Sequence, residues 1–157
     1  MTDKESFIRF LIDCNALKFG EFQLKSGRIA PYFINTGMFD TGGKITQLGG
    51  HYAKAVHQYF NTGFDGIYGP AYKGIPLCVS TAMALSGMGH DTGYVFNRKE
   101  AKTYADKSST VGMGLTSGTR LILVDDVITS GKAIRESLDI LKTSGNPKVK
   151  GIVISVD

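Results

Sequence analysis

From residue 65 onward, short apolar runs alternate with helical patterns, and this alternation limits the fold more than any other feature of the chain. Alternating strands and helices predict a parallel β-sheet with helices on both faces. In such sheets, ligands bind beyond the carboxyl ends of the strands. The sequence therefore predicts an α/β fold whose functional residues follow its strands. We expect strands at 66–68, 94–96, 121–124 and 149–156, helices at 75–85 and 132–143, and a polar loop at 103–112.

The first 64 residues have a different pattern, which predicts a small helix, a hairpin and a second helix. Thr2 and Glu5 form a capping-box pattern before the apolar face of the first helix. Two extended segments, 21–25 and 31–35, flank a Ser-Gly-Arg turn, and an amphipathic helix is expected at 44–60. The length of 157 residues suits one domain, which we predict to combine these elements (1–64) with the α/β core (65–157).

Composition and charge exclude several classes of protein. The net charge is +4, but lysine and arginine are spread along the chain, so we expect anionic small molecules and not nucleic acid as partners. Two cysteines, Cys14 and Cys78, are too few for a disulfide framework, which indicates a protein of a reducing compartment. We expect both side chains to be buried. No apolar stretch has membrane-spanning length, and the start of the chain is acidic where a secretory signal would be basic. We therefore expect a cytoplasmic protein without a membrane partner.

The segment 121–133 joins a buried strand to a helix through acidic and hydroxyl-bearing residues. Four apolar residues precede Asp125 and Asp126, and carboxylates do not belong in the core of a sheet. Thr129, Ser130 and Gly131 then lead into a helical pattern, so that free backbone N–H groups gather where phosphate can bind. Paired carboxylates beside an anion site suit a ligand with both ribose hydroxyls and phosphates. The alternative, an ordinary strand-to-helix turn with a capping acid, is the weaker interpretation.

Spacing excludes a nucleotide-binding P-loop at this segment. That motif needs a glycine five residues before Gly131 and a Ser or Thr after Lys132, whereas this chain has Asp126 and Ala133 at those positions.

Two further segments follow predicted strands and carry cations. Residues 69–74 combine two glycines, a proline and Lys73, so the backbone can approach a pyrophosphate closely while the lysine supplies charge. Alone, this pattern is equally typical of a plain turn with a solvated lysine. Arg98, Lys99 and Lys102 follow the next strand and precede the polar loop, which is typical of a lid that closes on an anion. Charge runs are nevertheless often just solvated surface.

Five motifs occur in order along the chain. They are Lys18-Phe19-Gly20-Glu21-Phe22-x-Leu24-Lys25-Ser26-Gly27-Arg28, Pro31-Tyr32-Phe33, Gly69-Pro70-Ala71-Tyr72-Lys73-Gly74-Ile75-Pro76, Phe96-Asn97-Arg98-Lys99-Glu100-Ala101-Lys102 and Val124-Asp125-Asp126-Val127-Ile128-Thr129. The last of these resembles the signature of the type I phosphoribosyltransferases, and all five together resemble the orotate phosphoribosyltransferase family. The match runs in register from about residue 7 to residue 157. Five ordered motifs are far more specific than any one of them.

The resemblance implies a type I phosphoribosyltransferase fold and the transfer of a phosphoribosyl group from phosphoribosyl pyrophosphate to orotate, with Mg²⁺ held mainly by the donor. It also implies a homodimer in which the lid of one subunit closes over the site of its neighbour. The implied catalytic residues are Asp125 and Asp126, which would hold the ribose and stabilise positive charge at its C1, with Lys99 and Lys102. The implied binding residues are Lys25, Phe33 and Ile34 for the base and its approach; Lys73, Arg98, Lys99 and Lys102 for the leaving pyrophosphate; and Thr129, Ser130, Gly131, Lys132 and Ala133 for the 5-phosphate, with Thr129 also reaching orotate. Tyr72, Tyr104, Val127 and Ile128 are further implied substrate-binding residues.

The chain departs from the family pattern at two places. After Lys102 the pattern requires Asp-His-Gly-Glu, whereas this chain has Thr103-Tyr104-Ala105-Asp106. A neutral tyrosine cannot share a proton as histidine does. Lys107 and Ser108 also replace glycines that follow in the family, which stiffens the loop, so we expect slow turnover with donor binding largely retained. The pattern also continues past residue 157 with an orotate-binding arginine, so we expect a fragment or a shortened member.

Two other functions are compatible with parts of the sequence. A non-catalytic regulator that binds phosphoribosyl pyrophosphate or a nucleotide would explain the altered lid and the missing arginine. A purine phosphoribosyltransferase shares the donor motif but does not explain the segments 25–33 and 98–102. Donor binding without orotate-dependent pyrophosphate release would indicate the regulator.

Overall fold

The computed structural model describes residues 2–23, 27, 29–100, 109–128 and 130–156. The chain divides into two compact units, Met1–Gln47 and Leu48–Asp157, and the boundary lies inside a helix. The organisation as one domain with its core at 65–157 stays a prediction.

The amino-terminal unit begins with the predicted helix, α1 (Asp3–Asp13). The Glu5 backbone N–H donates to Thr2 Oγ1 at 3.2 Å, and the Thr2 N–H donates to Glu5 Oε2 at 2.7 Å, which confirms the capping box. The helix buries Phe10, whose ring stacks on Phe39 at a centroid distance of 5.4 Å. Apolar packing within this unit therefore stabilises the helix.

The predicted hairpin is confirmed, but its strands begin earlier than expected. Strands β1 (Leu17–Gln23) and β2 (Ile29–Ile34) pair antiparallel. Leu17 pairs with Ile34, so four residues before the predicted start at residue 21 already belong to the strand. Cross-strand pairing decides this boundary, which local residue preferences do not indicate.

The carboxyl-terminal unit contains a five-stranded sheet of order β5-β4-β3-β6-β7. Its pairs are parallel except for β4 with β5. The α/β class predicted from the sequence is confirmed. The elements are α2 (Gly42–Phe60, which starts in the amino-terminal unit), β3 (Gly66–Gly69), α3 (Gly74–Gly87), β4 (Gly93–Asn97), β5 (Thr110–Gly112), β6 (Arg120–Val127), α4 (Lys132–Thr143) and β7 (Lys148–Val156).

Strand β5 corrects the prediction of a wholly parallel sheet and of a loop at 103–112. Val111 pairs with Phe96 and Gly112 with Val95, so β5 forms an antiparallel edge. Three residues are too few to show the alternation that marks a strand in a sequence. Pairing with β4 supplies the hydrogen bonds that define it.

Strand β6 is buried and longer than predicted. Leu121, Ile122, Leu123 and Val124 have no exposed surface, as expected for a strand with neighbours on both sides. The prediction that it ends at residue 124 is wrong, because β7 continues to pair with it as far as Val127. The two acids therefore lie within the last residues of the strand.

Two smaller predictions can be compared directly with the structure. Cys14 and Cys78 are both buried and unpaired, as expected. Within the ranges described above, no helix combines the length and the apolar character that crossing a membrane requires.

An ion pair at the start of the sheet gives a pH-dependent prediction. Arg120 Nη2 lies 2.6 Å from Asp65 Oδ1, and hydrogen bonds from Arg120 lower the pKa of Asp65 to about 2. A lowered carboxyl pKa stabilises the fold above the unfolded-state value near 4, and this stabilisation disappears as the pH falls through about 2. We expect Asp65→Asn to lower the urea midpoint slightly at pH 7 and less at pH 3. Asp139→Asn, in an exposed pair with Lys142, is the control and should change it at neither pH.

Candidate active site

The predicted site segments leave the same edge of the sheet. Strand β3 is parallel to both β4 and β6, and Tyr68 is paired with Val95 on one side and Leu123 on the other. The carboxyl ends of these three strands therefore lie side by side. The segments that follow them contain most of the predicted donor-binding residues.

Asp125 and Asp126 are adjacent in sequence but have different surroundings. Asp125 is 6% exposed, and its Oδ1 accepts a hydrogen bond of 2.9 Å from the Asp126 backbone N–H. The Asp126 side chain is 18% exposed, with Oδ2 3.4 Å from Lys73 Nζ. Successive side chains of a strand point to opposite faces, which explains the difference. Asp126 is the more accessible acid.

Burial raises the pKa of Asp125 to about 6, although the hydrogen bond from Asp126 acts in the opposite direction. The charge of Asp126 adds to the increase. Asp125 therefore loses its proton close to neutral pH, and ionising it in the ligand-free protein costs stability. Buried carboxylates with raised pKa values are common at functional sites.

Tyr52 supports the strand that carries the acids. Its hydroxyl donates to the Asp125 carbonyl oxygen at 2.8 Å and lies 2.6 Å from Ser155 Oγ. Tyr52 is 2% exposed, and burial raises the pKa of its hydroxyl. The sequence places this residue within the amphipathic helix predicted at 44–60 and gives it no other role. No pattern in the sequence connects it with Asp125.

The turn between β3 and α3 is compact. A Cβ on Gly69 would lie 2.6 Å from the carbonyl carbon of Gly74, so two glycines are required where the chain passes close to itself. The Ala71 backbone N–H donates to Asn97 Oδ1 at 2.7 Å, and a cis peptide bond joins Ala71 to Tyr72. Asn97 is not among the site residues predicted from the sequence.

Side chains from all three segments meet near this turn. Lys73 reaches Asp126 of β6, and Lys99 Nζ lies 5.1 Å from the centroid of the Tyr72 ring. Both lysine contacts involve exposed or half-buried groups, so they are weak and can be exchanged for contacts with an anionic ligand.

The start of α4 has the geometry of an anion site. Gly131 has a φ of 70°, a left-handed conformation that favours glycine, and immediately precedes the first residue of the helix. Ser130 Oγ accepts from the Lys132 N–H at 3.4 Å. Ser130, Lys132 and Ala133 are exposed. Exposed N–H groups at a helix start bind phosphate through direct hydrogen bonds and the helix dipole.

The remaining predicted residues are distributed as follows. Phe33 and Ile34 lie on β2 in the amino-terminal unit, where the ring centroids of Phe33 and Phe22 are 5.6 Å apart. Arg98 directly follows β4, and its Nε is buried without a hydrogen-bond partner among the described residues. Val127 ends β6 and Ile128 follows it, half-buried. Lys25, Lys102, Tyr104 and Thr129 lie outside the described residues.

The described part of the chain holds no cluster of three or more His, Cys, Asp or Glu side chains suited to a metal. Asp125 and Asp126 together offer two carboxylates. Mg²⁺ is commonly held by one or two carboxylates together with the phosphates of a substrate. The donor set therefore fits a magnesium ion that is shared with a phosphorylated ligand.

Comparisons with known proteins give a consistent result. The phosphoribosyl transferase domain family matches residues 35–157. The chain is 46% identical over 155 residues to an orotate phosphoribosyltransferase of Lachnoclostridium phytofermentans, covering 98% of this chain and 69% of the relative. It is 52% identical over 158 residues to the one of Bifidobacterium longum, covering 96% and 68%. The crystal structure of the Francisella tularensis orotate phosphoribosyltransferase matches with a TM-score of 0.85 and 40% identity, covering 97% of this chain and 71% of that one.

Proposed function

Because this chain belongs to the orotate phosphoribosyltransferase family, we propose that it transfers the phosphoribosyl group of phosphoribosyl pyrophosphate to orotate. The products are orotidine 5′-monophosphate and pyrophosphate, in pyrimidine biosynthesis. The observation that carries this proposal is identity of 46% to 52% over nearly the whole chain with relatives of that name. The membership confirms the type I phosphoribosyltransferase fold predicted from the sequence, and it does not favour the regulator alternative.

The two acids are proposed to act on the ribose. The reaction develops positive charge at the ribose C1, and carboxylates fixed nearby stabilise such charge. Asp126 is accessible enough to accept hydrogen bonds from the ribose hydroxyls, whereas Asp125 is buried beside it. Ionised Asp125 is further stabilised when cations of the donor complex approach.

The cations and the helix start are proposed to hold the phosphates of the donor. Lys73 lies in the turn between β3 and α3, and Lys99 contacts Tyr72 of that turn. Both would neutralise the leaving pyrophosphate, together with Arg98 and Lys102. The N–H groups after Gly131 would bind the 5-phosphate. Lys25, Phe33, Ile34 and Thr129 are proposed to bind orotate.

Mg²⁺ is proposed as the cofactor. Bound to the pyrophosphate of the donor, the ion supplies positive charge that makes pyrophosphate a better leaving group. Asp125 and Asp126 are the residues that would face it, directly or through water. The protein itself would orient the donor and exclude water.

An orotate-dependent assay of pyrophosphate release tests the proposed function. We expect release only when phosphoribosyl pyrophosphate, orotate and Mg²⁺ are all present, and loss of at least about 90% of it when the metal is chelated. Excess Mg²⁺ should restore the rate. Donor binding by calorimetry without any release would contradict the proposal and support a regulator.

The resemblance also supports a homodimer with shared active sites and a cytoplasmic location as proposals. Because one chain has a mass of 16.9 kDa, sedimentation velocity easily separates a monomer from a dimer of twice that mass. In such a dimer, the lid of one copy would close over the site of the other.

The altered segment 103–106 gives a prediction about turnover. We expect the combined change Thr103→Asp, Tyr104→His, Ala105→Gly and Asp106→Glu to raise kcat about tenfold or more, because a histidine that shares a proton is restored. The dissociation constant of phosphoribosyl pyrophosphate should change less than twofold. Steady-state kinetics and calorimetry measure the two quantities, and an unchanged kcat would show that the natural segment is no handicap.

A further inference from the structure

Asn97 is a buried polar residue at the carboxyl end of β4. It is 8% exposed and has Tyr68 of the neighbouring strand within hydrogen-bond distance. Asparagine is uncommon in strands, and a buried amide destabilises a fold unless its donors and acceptors are paired. Its contacts therefore indicate what the residue does.

Two of the three hydrogen bonds of Asn97 join it to segments of the site, and the third joins it to the buried Tyr68. Oδ1 accepts from the Ala71 backbone N–H at 2.7 Å and from the Tyr68 hydroxyl at 3.3 Å. Nδ2 donates to the Arg98 carbonyl oxygen at 3.3 Å. The shortest bond thus connects β4 to the turn 70–73. The Asn97 side chain must turn its oxygen, not its nitrogen, toward Ala71, because a backbone N–H can only donate.

Ala71 precedes the two residues through which this turn contacts the rest of the site. Tyr72 lies beneath Lys99, and Lys73 pairs with Asp126. Both side chains are mostly exposed, at 64% for Tyr72 as a whole and 71% for the Lys73 side chain. Exposed side chains contribute little rigidity, so the position of the turn depends on its backbone.

We propose that Asn97 is a positioning residue for the donor pyrophosphate: it fixes the turn 70–73 against the base of the cationic segment that starts at Arg98. This inference rests on the proposed function and adds a residue that touches no substrate. The Arg98 N–H also donates to the Ser109 carbonyl at 2.8 Å, so both the turn and the ends of the segment 98–109 are fixed next to Asn97. A misplaced turn moves Lys73 and weakens its contact with an anion.

The test compares Asn97→Ala with Tyr68→Phe. The first change removes the acceptor of the Ala71 N–H. The second leaves that acceptor in place and removes the longer bond to Asn97, together with the contact of the Tyr68 hydroxyl with Ser137. We expect Asn97→Ala to raise the KM for phosphoribosyl pyrophosphate, and the dissociation constant of inorganic pyrophosphate by calorimetry, about tenfold. The KM for orotate should change less than twofold. Tyr68→Phe should leave all three constants within twofold, even where its Tm falls.

Asn97→Leu has nearly the same size, lacks the acceptor oxygen and adds no charge, so it serves as the second variant if the alanine variant does not fold. It should bind orotidine 5′-monophosphate within threefold of the wild type but bind pyrophosphate more weakly, because the Ala71 N–H has again lost its acceptor. Unchanged pyrophosphate binding in a folded Asn97 variant that lacks the acceptor would overturn the proposal. Equal increases in the KM of both substrates that follow the fall in Tm would overturn it as well. An inactive wild-type protein that binds pyrophosphate would instead contradict the proposed function and leave the Asn97 measurement valid.

Discussion

Asp126→Asn is expected to lower kcat/KM for orotate phosphoribosylation by at least about 100-fold. The change keeps the size of the side chain and removes the negative charge next to the proposed position of the ribose. It also removes the ion pair with Lys73, whose atoms are 3.4 Å apart. Because that pair is partly exposed, its loss should alter stability only slightly. Steady-state kinetics at saturating Mg²⁺ measures the effect, and Asp139→Asn is the control because that carboxylate lies on an exposed face of α4.

Asp125→Asn should separate activity from stability. Activity is expected to fall, since the buried charge is lost. The ligand-free protein should become more stable at pH 8, by roughly 1–3 kcal/mol, because a carboxyl whose pKa is raised to about 6 must ionise in the folded state above that pH. Below about pH 4 the Asp125 carboxyl is largely protonated in both the folded and the unfolded protein. The difference in stability between the variant and the wild type should then disappear. Urea denaturation at pH 8 and pH 4 measures it, and a variant less stable than the wild type at pH 8 would contradict the assigned burial.

The second large effect is expected at the turn between β3 and α3. An added methyl group at Gly69 would overlap the Gly74 backbone and lie 2.9 Å from Cys78 Cβ. Backbone cannot move aside as a flexible side chain can, so we expect Gly69→Ala to destabilise the protein by about 3 kcal/mol or more. Any folded fraction should bind pyrophosphate weakly because the turn that carries Lys73 is displaced.

Gly87→Ala is the matched control for this prediction. Gly87 is the last residue of α3, and a Cβ there would meet nothing within 4 Å. Alanine has the higher helix propensity, so this variant should be as stable as the wild type or slightly more stable. Thermal unfolding followed by circular dichroism measures both variants. A Gly69→Ala protein with a wild-type Tm would show that the close approach of the two glycines is not required.

Local patterns were sufficient to predict the helices, the central strands and the position of the acids at the sheet edge. They failed where partners distant in sequence decide the outcome. β6 continues through the acids because β7 pairs with it, and β5 exists only because β4 lies beside it. Without those partners, a three-residue run cannot be distinguished from a loop.

The same limit applies to the site. The charged residues lie at the ends of strands or just after them and can be found from the apolar runs that precede them, whereas Tyr52 and Asn97 act through contacts with residues far away in sequence. Tyr52 reaches the Asp125 carbonyl across 73 positions, and Asn97 reaches Ala71 across 26. In the sequence, Tyr52 is part of the apolar face of a predicted helix, and Asn97 follows a short apolar strand, so neither is marked as a site residue. Only the folded arrangement brings them to the site.

Amide chemical-shift mapping with phosphoribosyl pyrophosphate and Mg²⁺ tests the central claim most directly. If the donor binds between the β3–α3 turn, the acids of β6 and the start of α4, the largest shifts should fall in 69–74, 125–128 and 130–134. Asp126→Asn should reduce these shifts at the same ligand concentration. Large shifts confined to other parts of the chain, or none at millimolar donor, would contradict the placement of the site at this edge of the sheet.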